Sequence, residues 1–181
     1  MISTIKAAYS PEYVLPLPEG HKFPILKYRM VPDRLLREGI INKGNIFAPE
    51  AAGKDILSLT HSPEYIERVA GRNLTIQEIR RIGFPLTEEF VKREFLITGG
   101  TIECIRHAEE KGVSFNFAGG THHAFRNRGE AFCIFNDVAA AANYLIFRNP
   151  ENSVVIIDLD AHQGNGTAEI FSGREEVFTF S

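Results

Sequence analysis

Ser153-Val154-Val155-Ile156-Ile157-Asp158-Leu159-Asp160-Ala161-His162-Gln163-Gly164-Asn165-Gly166 begins as an apolar, β-branched run and turns abruptly polar. Such a run fits a strand buried on both faces of a parallel sheet. In open parallel sheets, ligands bind in the crevice outside the carboxyl ends of the strands. Residues at i and i+2 of an extended chain point to the same side, so Asp158, Asp160 and His162 can line one face. A carboxylate and an imidazole converging from one strand end are donors suited to zinc. Carboxylates buried there need a cation or several donors to offset their desolvation.

A second polar cluster, Gly119-Gly120-Thr121-His122-His123-Ala124, follows another strand candidate, Val113 to Phe117. The glycine pair suggests close backbone approach. Histidine exchanges protons near neutral pH, and the group behind its far nitrogen tunes it. Asp158 and Asn165 supply one carboxylate and one amide for that role, the carboxylate favouring the charged imidazole more than the amide does.

The rest of the chain supplies α/β grammar. Ile2 to Tyr9 is a strand candidate, and Pro16, Pro18, Gly20 and Pro24 mark the loop after it. A helix is expected from Leu26 to Glu38, stopped by Gly39. Ser62-Pro63-Glu64 reads as a helix start, and Thr75 with Glu78 has capping-box spacing. The longest helix is expected from Thr87 to Lys111-Gly112, with Gly99-Gly100 inside it explained by a close helix-to-strand contact. Val138 to Arg148 and Thr167 to Phe171 read as helices, and Val177 to Phe180 as a last strand. The chain stops at Ser181, directly on that strand, where a parallel sheet calls for a covering crossover. It therefore reads as the N-terminal portion of a single domain, residues 1–181, cut short.

Composition narrows the function classes. Twenty basic and 23 acidic residues leave a net charge of −3, which gives no global pull toward nucleic acid or anionic lipid. Arg80-Arg81 and Arg126 with Arg128 are isolated pairs, so no nucleic-acid partner is expected. No apolar stretch approaches the roughly 18 residues of a membrane helix, and Met1 to Lys6 lack signal-peptide features. Cys104 and Cys133 alone make no disulfide scaffold. The expectation is a cytoplasmic protein, with a nuclear location open for a eukaryotic source.

Three motifs in order, Gly119 to Ala124, Gly129-Glu130-Ala131-Phe132-Cys133 with Asn136-Asp137, and Ile157 to Gly166, resemble the histone deacetylase superfamily. The Asp-Ala-His-Gln-Gly-Asn-Gly form is most similar to the class IV branch and its bacterial relatives. His61-Ser62-Pro63-Glu64-Tyr65 and Thr98-Gly99-Gly100-Thr101 match similar stretches. The resemblance implies a mostly parallel β-sheet flanked by helices, the three-layer arginase/deacetylase fold. It implies a zinc-dependent hydrolase that removes acetyl or longer acyl groups from lysine or related amines. By position, Asp160 and His162 would hold zinc, and His122 and His123 would be the paired general base and acid. Asp158 would back His122, and Asn165 would stand behind His123 where many relatives carry Asp. Phe132 and Gly120 would line the substrate channel. A potassium-type monovalent-cation site would use Asp158, Asp160, His162 and Ser181. Partners would be acylated lysine in protein or peptide, or an acylated small amine, with oligomerisation left open.

Gln163, Asn165 and Ala131 depart from the residues many relatives carry, Ala131 standing where most have glycine. The family's third zinc ligand, an Asp, and its transition-state tyrosine would lie beyond residue 181. The 181 residues alone are therefore expected to be inactive and unstable as a monomer. Two other classes compete with this reading. One is a catalytically incomplete deacetylase-like fragment that binds a ligand or partner. The other is a binuclear manganese ureohydrolase, which would need a carboxylate where Gly164 stands.

Overall fold

The computed structural model describes residues 5–181, so Ile2, Ser3 and Thr4 of the expected first strand lie outside the described residues. Strand β1 is Lys6–Ala8. It pairs in parallel with β2, Ile46–Phe47, on one side and β3, Ser114–Asn116, on the other. A second parallel pair joins β4, Val154–Ile157, to β5, Val177–Phe180. Seven α-helices are described: α1 Lys27–Arg37, α2 Lys54–Leu57, α3 Pro63–Ala70, α4 Ile76–Ile82, α5 Glu88–Lys111, α6 Asp137–Arg148 and α7 Asn165–Ile170. Helices on parallel strands make this the expected α/β class.

The helix boundaries follow local chemistry. Ser62 Oγ accepts from the Tyr65 N–H, with Pro63 at the first helical position. Thr75 and Glu78 close a reciprocal capping box at α4. Thr87 caps α5, and Gly112 ends it in the left-handed region at φ 84°. At the last two helices the sequence reading runs late, because both start on side chains that also serve the site. Asn136 caps α6 by accepting from the Ala139 N–H, and α7 begins at Asn165 rather than Thr167. The short β2 and α2 carry too few residues to show a period.

Helix α5 runs against β1 and β3 and also packs on α6. Its glycine pair explains this only in part through strand contact. A Cβ at Gly100 would lie 3.2 Å from the Ala8 side chain on β1 and 3.0 Å from that of Asn116 on β3. Gly99 instead faces the loop before α2: a Cβ there would meet the Glu50 carbonyl oxygen at 1.9 Å. The Ala52 N–H donates to the Phe95 carbonyl at 2.9 Å and holds the loop in place. One turn earlier, Arg93 and Glu94 form a fully buried ion pair, and Arg93 Nε donates to the Tyr13 carbonyl at 2.8 Å. Burial pushes the Glu94 carboxyl up, with Arg93 opposing.

The β4 run departs from the expected burial on both faces. Ile156 is buried at 8% exposure, but Val155 and Ile157 are both 63% exposed. Phe178 and Phe180 sit opposite them on β5, also exposed. The inner face packs against Ala139 and Ala142 of α6 and Phe171 just after α7. Among the described residues, no helix covers the outer face, so the strand alternates in and out.

The close approach at Gly99 sets a test. Gly99→Ala gains about 1 kcal/mol of helix propensity, but its methyl must displace backbone, and such overpacking costs about 1–3 kcal/mol. With a backbone oxygen this close, the upper end applies, and urea denaturation should show a net loss of stability. An unchanged midpoint would mean that the 50–52 loop is not docked on α5.

Candidate functional site

The two polar clusters meet where β3 and β4 end. After β3, Gly119 takes φ 111°, with its Cα so close to the Asp137 carboxylate that a Cβ would lie 2.2 Å from Oδ2. This lets the chain turn and present Thr121. The Thr121 N–H donates to Asp137 Oδ1 at 2.9 Å, and the Thr101 hydroxyl donates to Oδ2 at 2.6 Å. The next residues, His122 and His123, stand with ring centroids 4.1 Å apart. Their backbone is held from the other side: the Thr167 N–H donates to the His122 carbonyl at 3.1 Å. Asn136 Nδ2 donates to the Ala124 carbonyl at 3.1 Å and to Thr167 Oγ1 at 2.9 Å.

After β4 the chain is not an extended strand. Asp158 Oδ1 accepts from the Asp160 N–H at 3.0 Å, and Asp160 Oδ1 accepts from the His162 N–H at 2.8 Å. These two successive Asx turns, rather than strand alternation, bring Asp158, Asp160 and His162 onto one cavity. The His162 N–H and then its imidazole hold the Asp160 carboxyl below the usual range, with desolvation opposing.

The histidines have unlike backing. His122 Nδ1 is hydrogen-bonded to Asp158 Oδ2. His123 Nδ1 lies 2.7 Å from Asn165 Oδ1, which also accepts from the Gly166 N–H at 2.9 Å. That second donor fixes the orientation of the amide: the atom facing His123 is the oxygen. An amide oxygen only accepts, so Nδ1 of His123 carries the proton, and Nε2 of the neutral ring keeps its lone pair.

The cavity has a volume of about 460 Å³ and is lined by His122, His123, Asp158, Asp160, His162, Gly119, Gly120 and Phe132, among others. The Phe132 ring packs on Phe23 and Phe84 at centroid distances of 5.3 and 5.2 Å. It is set by a tight turn in which Glu130 and Cys133 exchange both backbone hydrogen bonds. Ala131 and Phe132, between them, both have positive φ, 46° and 67°. That is the signature of a type I′ turn, which favours Asn-Gly and costs L-residues with side chains roughly 1–2 kcal/mol each. Their N–H groups donate to the Arg81 and Ile82 carbonyls, which hold the strained pair in place.

Asp160 and His162 are exposed, and Oδ1 of one lies 3.1 Å from Nδ1 of the other. Two such atoms on one tetrahedral zinc ion stand about 3.3 Å apart, so this donor pair fits two ligands of a borderline divalent metal. Among the described residues, no group of three or more such donors is gathered. Ser181 is placed elsewhere, on a smaller cavity of about 130 Å³ shared with Asp158, Gly164 and Thr179. Its hydroxyl accepts from the Gly164 N–H at 2.8 Å. Of the four residues expected around a monovalent cation, Asp158 and Ser181 meet on this cavity, while Asp160 and His162 line the larger one.

Several supporting residues received no role from the sequence. His61 is fully buried: Nδ1 donates to the Phe125 carbonyl, and Nε2 accepts from the Asn136 N–H, both at 2.9 Å. Burial pushes its imidazole down to about 4. His61, Asn136 and Asp137 stood inside the quoted motifs, but only long-range contacts reveal what they hold.

The histone deacetylase domain family matches residues 21–181. An uncharacterized protein of Picosynechococcus is 42% identical over 173 residues, covering 96% of this chain and 58% of that protein. The acetoin utilization protein AcuC of Bacillus subtilis is 31% identical, covering 96% of this chain and 47% of AcuC. A crystal structure of a histone deacetylase homolog from Aquifex aeolicus superposes with a TM-score of 0.79 at 26% identity. It matches 97% of this chain and 50% of that one. The chain thus spans about half the length of the curated relatives it matches.

Two tests follow from the buried supports. Asp137→Ala leaves the Thr121 N–H and the Thr101 hydroxyl without their acceptor and should cost about 3 kcal/mol in urea denaturation. For His61, the folded value of about 4 lies below the ordinary value of 6.5. The unfolded chain therefore binds the extra proton first, and the contribution is complete above about pH 6.5 and lost as pH falls toward 4. The denaturation midpoint should decline through that window, worth up to roughly 3 kcal/mol. The His61 ring resonances should not titrate above about pH 5; a titration near 6.5 would contradict the buried neutral ring.

Proposed function

The chain belongs to the histone deacetylase family, and on that premise we propose that it carries the proton-transfer pair and two metal ligands of a zinc-dependent amide hydrolase. The observation that carries the reading is the unlike backing of two adjacent histidines facing one cavity, Asp158 behind His122 and Asn165 behind His123. The substrate class is an acyl group on a lysine side chain or a related amine, and the compartment is the cytoplasm.

Zinc held by Asp160 and His162, with further donors, would polarise the amide carbonyl and acidify the attacking water. The chain's own residues do the rest. His123, protonated on Nδ1 by its bond to Asn165, offers Nε2 as the base that takes the proton from water. The same imidazolium then returns a proton to the departing amine. His122, its Nδ1 tied to the Asp158 carboxylate, is held facing the cavity, where it stabilises negative charge growing on the carbonyl side. Phe132, held by the left-handed turn, gives a flat wall along which four lysine methylenes can lie.

Asp158 and Ser181 on the smaller cavity would take part in a potassium-type site behind His122. Gly164, where a ureohydrolase needs its further carboxylate, is buried against Asp158 and leaves no room for a side chain.

The test is hydrolysis of acetyl-lysine peptides by the full-length protein carrying this chain. His123→Ala should lower kcat by about 10²–10⁴ while leaving peptide affinity close to that of the parent. A protein that binds acyl peptides with no turnover before or after the change would be a binder, and the hydrolase reading would fall.

A further inference from the structure

The charges around the cavity are unevenly placed. Its acids are Asp158, half-buried and bonded to His122, and Asp160, exposed and bonded to the His162 N–H beside the donor pair. Lys22 and Lys27 line the same cavity from the loop and helix start that carry Phe23. Neither lysine has a carboxylate partner among the described residues. Lys27 is nonetheless placed: its Nζ lies 5.0 Å from the Phe23 ring centroid and 5.2 Å from that of Tyr28. Phe23 in turn packs on Phe132, so the ammonium stands one ring removed from the channel wall. The Tyr28 ring also faces the buried Arg93 guanidinium, whose charge is matched by Glu94, so the unpaired positive charge on this side is that of the two lysines.

We propose that this cationic rim selects acylated amines that carry a carboxylate beside the acylated nitrogen's chain, and disfavours polycationic ones. The inference rests on the hydrolase reading for the meaning of the cavity, but its charge selectivity is a separate property. The leaving amine's side of a substrate passes the rim, because the floor holds the groups that act on the acyl carbon. A carboxylate there meets two unpaired ammonium groups, whereas a polyamine or a Lys- and Arg-rich segment meets like charge. The carboxylate can come from Asp or Glu flanking an acyl-lysine in a peptide, or from the α-carboxylate of a free acylated amino acid.

The experiment uses the full-length protein carrying this chain and two fluorescent Nε-acetyl-lysine peptides, one flanked by Glu and one by Lys. Binding is read by anisotropy and hydrolysis in parallel. The Glu-flanked peptide should bind about 5-fold more tightly at low ionic strength, and the gap should narrow as salt rises. Lys22→Gln with Lys27→Gln should remove the gap, and Lys22→Glu with Lys27→Glu should reverse it. Equal affinities, or a preference that survives both pairs of changes, would overturn the inference. Selective binding without hydrolysis of either peptide would sink the hydrolase reading and leave the rim's selectivity standing. Hydrolysis of both with no charge preference would do the opposite. Competition by free Nε-acetyl-lysine matching the Glu-flanked peptide would assign the recognised carboxylate to a small molecule; weaker competition would assign it to a flanking residue.

Discussion

A single buried carboxylate carries much of the site's geometry. Asp137 opens α6, where the helix N-terminus favours negative charge, and its two oxygens reach in different directions. One takes the Thr121 N–H from the histidine loop, the other the Thr101 hydroxyl from α5. The loop that presents His122 and His123 is thereby fastened to the two helices that pack against each other in the core. Next to it, Asn136 joins the same loop to α7 and donates its backbone N–H to the imidazole of His61. Neighbouring residues at one helix start thus tie together the segments that follow two strand ends.

The sequence made the local parts of this arrangement readable. Ser62, Thr75 and Thr87 act through bonds to residues three positions on, so short-range spacing was enough to place three helix starts. The two polar clusters were visible because polar residues directly after apolar runs are unusual without a use. What lay out of reach was everything set by distant partners. Gly99 and Gly100 are adjacent, yet one meets a loop and the other two strands, a distinction no local pattern contains. Val155 and Ile157 have the composition of a doubly covered strand, but burial depends on what stacks on the sheet rather than on the strand itself. Asp158, Asp160 and His162 gather as their spacing suggests, through Asx turns instead of pleat alternation.

The floor and the wall of the cavity are built on different principles. The floor is a hydrogen-bonded set in which donors and acceptors are matched by type, and it tolerates little change in atom type. The wall is an aromatic stack of Phe23, Phe84 and Phe132, with His21 lying parallel to Phe84 at 5.6 Å. Packing of this kind tolerates small shifts without losing contact area. Such a division lets the shape of the wall vary while the hydrogen-bonded set around His122 and His123 stays fixed.

The left-handed turn at Ala131 and Phe132 acts as a filter on sequence drift. Position 131 has room in dihedral space for glycine, asparagine, aspartate and, at some cost, alanine, and it penalises every β-branched residue. Position 132 bears the same backbone demand, but its aromatic contacts hold a bulky ring there against it. Among descendants of this chain, the first site should wander within a handful of small residues and the second hardly at all. A genealogy would record the pair as a near-invariant signature whose origin is the shape of the main chain.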